Sequence, residues 1–187
     1  MSKTALVLIT IQNDHLPRGA TECDGDNLAG ENAGKLLAWA RDKDILPVHI
    51  QQISKKRGAA ANKSGTIGSH LHSSMTPLPG EIVLEKHHPD SFRETGLELV
   101  LRENGIEQII IAGMMSHMCI GATKQAAEDL GFTCVLVQDA CAALDLVFNG
   151  VTVHTTFVQI PFMCALAGLY ARVCSTDEII SGNAILG

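Results

Sequence analysis

The run Ala5-Leu6-Val7-Leu8-Ile9 is apolar at every position and ends shortly before the polar cluster Gln12-Asn13-Asp14. A strand of this kind is buried on both faces, which is typical of parallel sheets covered by helices on either side. Five further strand-like segments follow it, at residues 45–50, 82–84, 108–112, 133–137 and 172–174. Together these segments predict a six-stranded, mostly parallel sheet.

Segments with helical spacing of apolar residues separate the strands. They predict helices at residues 28–44, 94–104, 116–130 and 153–169, and a last helix that begins at Thr176. Strands that alternate with helices in this way predict a three-layer α/β/α, doubly wound, Rossmann-like fold, formed by one domain over residues 1–187. Residues 53–80 lack periodicity and predict a long loop, which in a compact domain tends to be functional.

The composition limits the classes of partner. The chain has 187 residues, of which 46% are hydrophobic and 18% charged, and this is the profile of a well-packed globule. A net charge of −6 argues against nucleic acid or an anionic membrane as a partner. The first apolar run is too short for a leader or for a membrane span of about 20 residues. We therefore expect a cytoplasmic protein with a small-molecule substrate.

The six cysteines do not follow a metal or disulfide pattern. Cys134, Cys164 and Cys174 lie in apolar segments, which predicts small buried residues in a reducing compartment. No Cys-x-x-Cys pair or Cys/His ligand spacing occurs, so no structural zinc site is expected.

In doubly wound sheets the active site lies beyond the carboxyl ends of the strands, here residues 12–15, 86–88 and 113–119. Gly113-Met114-Met115-Ser116-His117-Met118-Cys119-Ile120 joins a buried strand to a helix, with Cys119 in the first helical turn. Free N–H groups and the helix dipole there favour a thiolate and can hold an oxyanion. Lys86 ends a strand that we expect to neighbour this one, so its ammonium could stabilise the sulfur. The residues alone leave open that Cys119 is a buried structural cysteine and Lys86 a surface lysine.

Over almost its whole length the chain resembles the isochorismatase-like cysteine hydrolase superfamily, which includes nicotinamidases, N-carbamoylsarcosine amidase and streptothricin hydrolase. The stretches that carry the resemblance are Ala5-Leu6-Val7-Leu8-Ile9-Thr10-Ile11-Gln12-Asn13-Asp14, Pro77-Leu78-Pro79-Gly80-Glu81, Lys86-His87-His88-Pro89-Asp90-Ser91-Phe92, Gly113-Met114-Met115-Ser116-His117-Met118-Cys119 and Asp139-Ala140-Cys141-Ala142.

The resemblance implies an Asp-Lys-Cys triad, of which Lys86 and Cys119 match. It also implies a cis peptide bond at Met114-Met115, which would turn the Met115 N–H toward the substrate and complete an oxyanion hole with the Cys119 N–H. Gln12, Met115 and His117 are the expected substrate-binding residues. The triad's aspartate position holds Thr10 instead, and a threonine hydroxyl does not ionise near neutrality.

Another group must then transfer the proton, and Asp14, His117 and water are the alternatives. Asp14 would lie about 13 Å from Thr10 along an extended chain, whereas His117 is two residues from Cys119 and titrates in the right range. Acid–base assistance contributes about 10²–10⁴-fold, so we expect slow turnover or a good leaving group. Nicotinamidases carry an Asp-x-His pair after the second strand, where this chain has His49-Ile50-Gln51-Gln52; no metal and no cofactor are expected.

These observations predict a hydrolase of small amide, carbamoyl or related C–N bonds that acts through a Cys119 thioester. One alternative is a weakened family member that binds a small ligand or a protein partner. Another is vinyl ether hydrolysis of the isochorismatase type, which depends more strongly on the missing aspartate because the ether must be protonated. The helix at 153–169 is apolar nearly all round, which suggests a subunit interface and a homo-oligomer, a dimer or higher.

Overall fold

The computed structural model describes residues 3–23, 26–167 and 171–182, and its centre is one six-stranded parallel sheet. The strands of this sheet are β1 (Thr4–Ile9), β2 (Leu46–Gln52), β3 (Ile82–Lys86), β4 (Gln108–Met114), β5 (Thr133–Ala142) and β8 (Arg172–Cys174). Between β5 and β8, the strands β6 (Leu146–Phe148) and β7 (Val151–Val153) form a separate short hairpin. The order of the sheet strands is β3-β2-β1-β4-β5-β8. The order changes direction at β1 and β4, which confirms the predicted doubly wound sheet.

Helices cover both faces of this sheet. They are α1 (Asp26–Asp42), α2 (Leu97–Glu103), a five-residue π-helix (Ser116–Ile120) that leads into α3 (Gly121–Asp129), α4 (Thr155–Ala167) and α5 (Thr176–Ile180). Alternate side chains of a strand point to opposite faces. Leu6 and Leu8 accordingly pack on one side with α1 and α5, and Val7 packs on the other side with α2, α3 and α4. The predicted three layers are confirmed.

The segment after β5 differs from the prediction. Strand β5 continues to Ala142, and the hairpin β6–β7 then fills a stretch that had no predicted element. Helix α4 begins at Thr155, and its predicted end at 168–169 lies outside the described residues. The sequence also predicted Cys164 to be buried, but it is exposed. The reason is that α4 covers the sheet with one side only, which an apolar sequence on all sides does not reveal.

The long loop between β2 and β3 lies over the carboxyl edge of the sheet. It contains two short 3₁₀ turns, Ile67–Ser69 and Ser73–Met75. Its attachment depends on buried Gln12, whose amide donates to the carbonyls of Gln52 (2.9 Å) and Ser69 (2.6 Å). Among the described residues, no helix is long and apolar enough to cross a bilayer.

Candidate active site

Cys119 lies in the π-helix that follows β4 and is 7% exposed. The sequence predicted the first turn of an ordinary helix; the structure has a wider turn, in which the Ile120 N–H donates to the Met115 carbonyl at 3.2 Å. Such π-turns are frequent at functional sites. Gly113 precedes the turn with a φ of 138°, and a Cβ there would lie 2.0 Å from the Ile9 carbonyl oxygen. Only glycine therefore lets the chain pass this close to β1.

Lys86 ends β3 and is fully buried. Its ammonium donates to the Pro89 carbonyl oxygen at 2.7 Å and lies close enough to Cys119 for the two groups to interact electrostatically. Burial lowers the pKa of Lys86 below its usual 10.5, while the nearby Cys119 and Asp90 oppose this decrease. The expected pairing of Lys86 with Cys119 is thus present in the fold, and the reading of Lys86 as a surface lysine is wrong.

The expectation that Lys86 and Cys119 follow neighbouring strands is also wrong. Strands β2 and β1 lie between β3 and β4, so the strand axes are about 14 Å apart at a spacing of about 4.8 Å per strand. The long lysine side chain and the turn after β4 together span this gap above the end of β1. Thr10 directly follows the last residue of β1 and lines the same cavity as Cys119.

A cavity of about 190 Å³ opens beside Cys119. The residues that line it come from the ends of β1 and β2, from the long loop, and from the segments after β3 and β4: Thr10, His15, Gln52, Ser54, Ala61, Asn62, Pro89, Met114, Met115, Met118 and Cys119. The volume is below the roughly 300–1,000 Å³ of most ligand pockets, so the cavity suits a small molecule.

The peptide bond Met114–Met115 is cis, as the resemblance implied. Met115 lines the cavity and is partly buried. The other two predicted substrate-binding residues lie elsewhere. Gln12 uses both amide hydrogens on loop carbonyls, and its oxygen accepts from the Gln52 N–H at 2.7 Å. His117 does not line the cavity, and burial lowers the pKa of its ring.

Thr10, where the resemblance implies an aspartate, lines the cavity. Its N–H donates to the Ile50 carbonyl at 2.9 Å, and its φ of 55° lies in the left-handed region. A β-branched residue rarely adopts this conformation, and such strain concentrates at functional positions. The Thr10 hydroxyl is buried and makes no hydrogen bond within the part of the chain that the structure describes.

Asp14, the possible substitute for the triad carboxylate, is not brought to the cavity. Its carboxylate accepts from the backbone N–H of Asn62 at 2.6 Å and of Ala20 at 3.4 Å. Gly68 packs directly against it, since a Cβ on Gly68 would lie 2.0 Å from an Asp14 oxygen. Asp14 therefore anchors the long loop and does not line the cavity.

Two polar residues that sequence reasoning gave no role line the cavity: His15 and Asn62. They are 47 positions apart, and their side chains meet at 3.1 Å. Burial lowers the pKa of His15, although a hydrogen bond to Thr21 and the charge of Asp14 oppose the decrease. The sequence gave one signal, the position of residues 12–15 at the carboxyl end of β1, but nothing local marked Asn62.

Metal ligands do not assemble around this cavity. No group of three or more His, Cys, Asp or Glu side chains with the potential to hold a metal occurs in the described ranges. His49, at the position considered for a metal pair, instead contacts Glu81 at 2.9 Å inside the fold.

Fold and site together define an α/β protein with a lysine–cysteine pair beside a small cavity at the carboxyl edge of the sheet. The family model described as "Isochorismatase domain" matches residues 4–156. The isochorismatase family protein YddQ of Bacillus subtilis (strain 168) is 39% identical over 177 residues, which are 95% of this chain and 98% of that protein. A crystal structure from Oleispira antarctica, described as an isochorismatase hydrolase, superposes with a TM-score of 0.92 at 41% identity and covers 97% of each chain.

Relatives with named activities are more distant. A streptothricin hydrolase of Streptomyces noursei is 32% identical over 142 residues, 76% of this chain and 50% of that one. A maleamate amidohydrolase of Pseudomonas putida is 29% identical over 151 residues, 73% of this chain and 71% of that one. The chain belongs to the isochorismatase family and is a hydrolase of that family.

Proposed function

We propose that the protein hydrolyses a small amide or carbamoyl substrate through a thioester on Cys119, without a metal ion. The observation that carries the proposal is the fully buried Lys86 ammonium, which interacts electrostatically with Cys119 next to a cavity of about 190 Å³. An ammonium close to a cysteine stabilises its thiolate. A relative named as an amidohydrolase supports the choice of a C–N bond.

In the first step the Cys119 thiolate attacks the substrate carbonyl carbon. The N–H groups of Met115 and Cys119 are the proposed oxyanion donors. The C–N bond then breaks, the proton of the Lys86 ammonium passes to the leaving nitrogen, and ammonia or an amine departs. Water next attacks the thioester while the neutral Lys86 amine takes its proton. The products are the carboxylic acid, the Cys119 thiolate and the Lys86 ammonium.

Lys86 has this second role because neither of the two other side chains considered lines the cavity. Asp14 is bound to the loop backbone, and His117 does not line the cavity. The lowered pKa of Lys86 makes its ammonium a better proton donor than a lysine in water. A leaving nitrogen can thus be protonated although Thr10 provides no carboxylate.

Thiol alkylation tests the proposal, with free glutathione in the same sample as the reference thiol. Cys119 is 7% exposed, so accessibility alone favours glutathione. We expect iodoacetamide to label Cys119 first, as followed by mass spectrometry of the digested protein and of glutathione, and Lys86→Met to abolish this order. Labelling that follows accessibility, with glutathione labelled before Cys119 of the wild-type protein, would overturn the proposal.

The second candidate function is ligand or partner binding by a weakened family member, which Thr10 favours. Restoring the carboxylate with Thr10→Asp separates the two candidates. If Thr10 belongs to a working site, the new charge beside Lys86 and Cys119 lowers the rate of ammonia release from small primary amides. A gain of about 10²-fold or more would instead mean that the natural site lacks its acid.

We also propose that the chain forms a homo-oligomer. The hairpin β6–β7 and helix α4, consecutive in the chain, expose the large apolar side chains Val147, Phe148, Val151, Phe157 and Ile160, each between 58% and 73% exposed. Apolar clusters of this kind mark interaction sites, and a second copy is the partner that is always available. Size-exclusion chromatography with light scattering tests this, and a 19.9 kDa monomer would contradict it.

A further inference from the structure

We infer that Thr10 and Asn62 recognise the two N–H hydrogens of a terminal –CO–NH₂ group, so that the substrate is a primary amide or an unsubstituted carbamoyl compound. The inference rests on the proposed function of Cys119 and makes it more specific. The motivating observation is a pair of buried oxygens without partners in two residues that line the same cavity as Cys119.

The first oxygen belongs to Thr10, which is 1% exposed. Its Oγ1 has no hydrogen-bond partner among the described residues, and its backbone φ of 55° lies in the left-handed region. A buried hydroxyl without a hydrogen bond is destabilising. A ligand in the cavity that donates a hydrogen bond to Oγ1 removes this unfavourable contribution when it binds.

The second oxygen is Oδ1 of Asn62, a residue that is 7% exposed. A chain of hydrogen bonds sets the orientation of the Asn62 side-chain amide. The Thr21 hydroxyl donates to the Asp14 carbonyl at 3.2 Å, and therefore accepts from the Nδ1–H of His15 at 2.9 Å. With its proton on Nδ1, His15 can only accept at Nε2, and it does so from the Asn62 amide nitrogen at 3.1 Å. This bond uses the amide nitrogen and leaves Oδ1 as a free acceptor.

Two acceptors match the hydrogen-bonding pattern of a primary amide. Its nitrogen carries two N–H donors and its oxygen is an acceptor, for which the backbone N–H groups beside Cys119 are the proposed partners. Esters and N,N-dialkyl amides have no N–H, so they would leave both oxygens unpaired inside the cavity. Sites built to hydrogen-bond a substrate reject an analogue that lacks the group far more strongly than apolar pockets reject a change of size.

The ligand that reports this recognition is the alkylating reagent itself. Iodoacetamide has a –CO–NH₂ group, and 2-iodo-N,N-dimethylacetamide has the same leaving group and no N–H. In both cases a sulfur–carbon bond forms and iodide leaves. The two rate constants are measured at Cys119 by mass spectrometry, and their ratio is divided by the same ratio for free glutathione in the same sample. This correction removes the intrinsic reactivity of the reagents.

We expect a corrected ratio of about 100 or more in favour of iodoacetamide in the wild-type protein, since each of the two unpaired buried acceptors weakens binding by about 10-fold or more. Thr10→Val keeps the shape of the side chain and removes the hydroxyl, and should lower the ratio by about 10-fold. Thr10→Ser is the matched control that keeps the hydroxyl and should recover most of the loss. Asn62→Gly should also lower the ratio, and glycine suits the φ of 55° at this position.

The outcomes separate this inference from the proposed function. If Cys119 is labelled before glutathione by both reagents, with a corrected ratio near 1 or a ratio that Thr10→Val leaves unchanged, the nucleophile stands and N–H recognition is refuted. If Cys119 shows no preference over glutathione with either reagent, the proposed function fails and this inference fails with it.

Discussion

Glu81, at the start of β3, provides a prediction whose size follows from the structure. Its carboxylate accepts hydrogen bonds from Arg41 of α1 at 2.7 and 2.9 Å, from buried His49 of β2 at 2.9 Å and from the Leu78 N–H at 2.9 Å. Arg41 is the main cause that lowers the pKa of Glu81 from 4.5 to about 2. These bonds fix the beginning of the strand whose last residue is Lys86.

The sign of the pH dependence follows from the lowered pKa. The unfolded chain takes up the Glu81 proton near pH 4.5 and the folded protein only near pH 2, so the stabilisation is complete above pH 4.5 and is lost as the pH falls toward 2. A difference of about 2.5 pKa units corresponds to about 3 kcal/mol, of which about 2 kcal/mol disappears between about pH 5 and about pH 3.

Urea unfolding of the wild-type protein and of Glu81→Gln between about pH 5 and about pH 3 measures this loss. We expect the wild-type free energy of unfolding to fall by about 2 kcal/mol more than that of the variant over this range. Glu98→Gln is the control, because Glu98 is an exposed carboxylate 3.5 Å from Arg102 and should behave as the wild type. Parallel curves for wild type and Glu81→Gln would refute the reasoning.

Three further predictions concern the site. Thr10→Val should raise the melting temperature by about 2–8 °C, because it removes a buried hydroxyl without a partner; calorimetry measures it, and a decrease would show that the hydroxyl is satisfied. Release of ammonia from a primary amide should decline as the pH rises through a value below 10.5, because Lys86 must keep its proton; a rate that is flat up to pH 10.5 would exclude that role. Gly113→Ala should lower the free energy of unfolding by about 3 kcal/mol or more in urea, whereas Gly80→Ala, with no atom within 4 Å of the new Cβ, should cost clearly less; equal losses would contradict the close contact with Ile9.

Much of the fold was predictable because it depends on local patterns. Strands that are apolar at every position need cover on both faces, and this requirement alone favours a parallel sheet between helices. Gly105 and Gly131 follow α2 and α3 with positive φ, the conformation in which a glycine commonly ends a helix. The places of Lys86 and Cys119 followed from the same patterns, since each comes at the carboxyl end of a strand.

The hydrophobic pattern of α4 could not show which surfaces bury this helix. Its sequence is apolar on nearly all sides, yet Phe157 and Ile160 are exposed in the chain and only one side packs on the sheet. Hydrophobic periodicity indicates that a face of a helix must be buried, but it does not show whether the same chain or another chain buries that face.

By itself the sequence determined the layers of the fold, the edge of the sheet at which chemistry can occur, and the threonine at position 10 where the resemblance implies an aspartate. Only the tertiary structure decided which side chains meet there. Lys86 reaches Cys119 across two intervening strands, and His15 meets Asn62 from 47 positions away. The physical reason is that burial and turn preferences act between close neighbours in the chain, whereas strand order and loop path set the distances between side chains across the sheet edge.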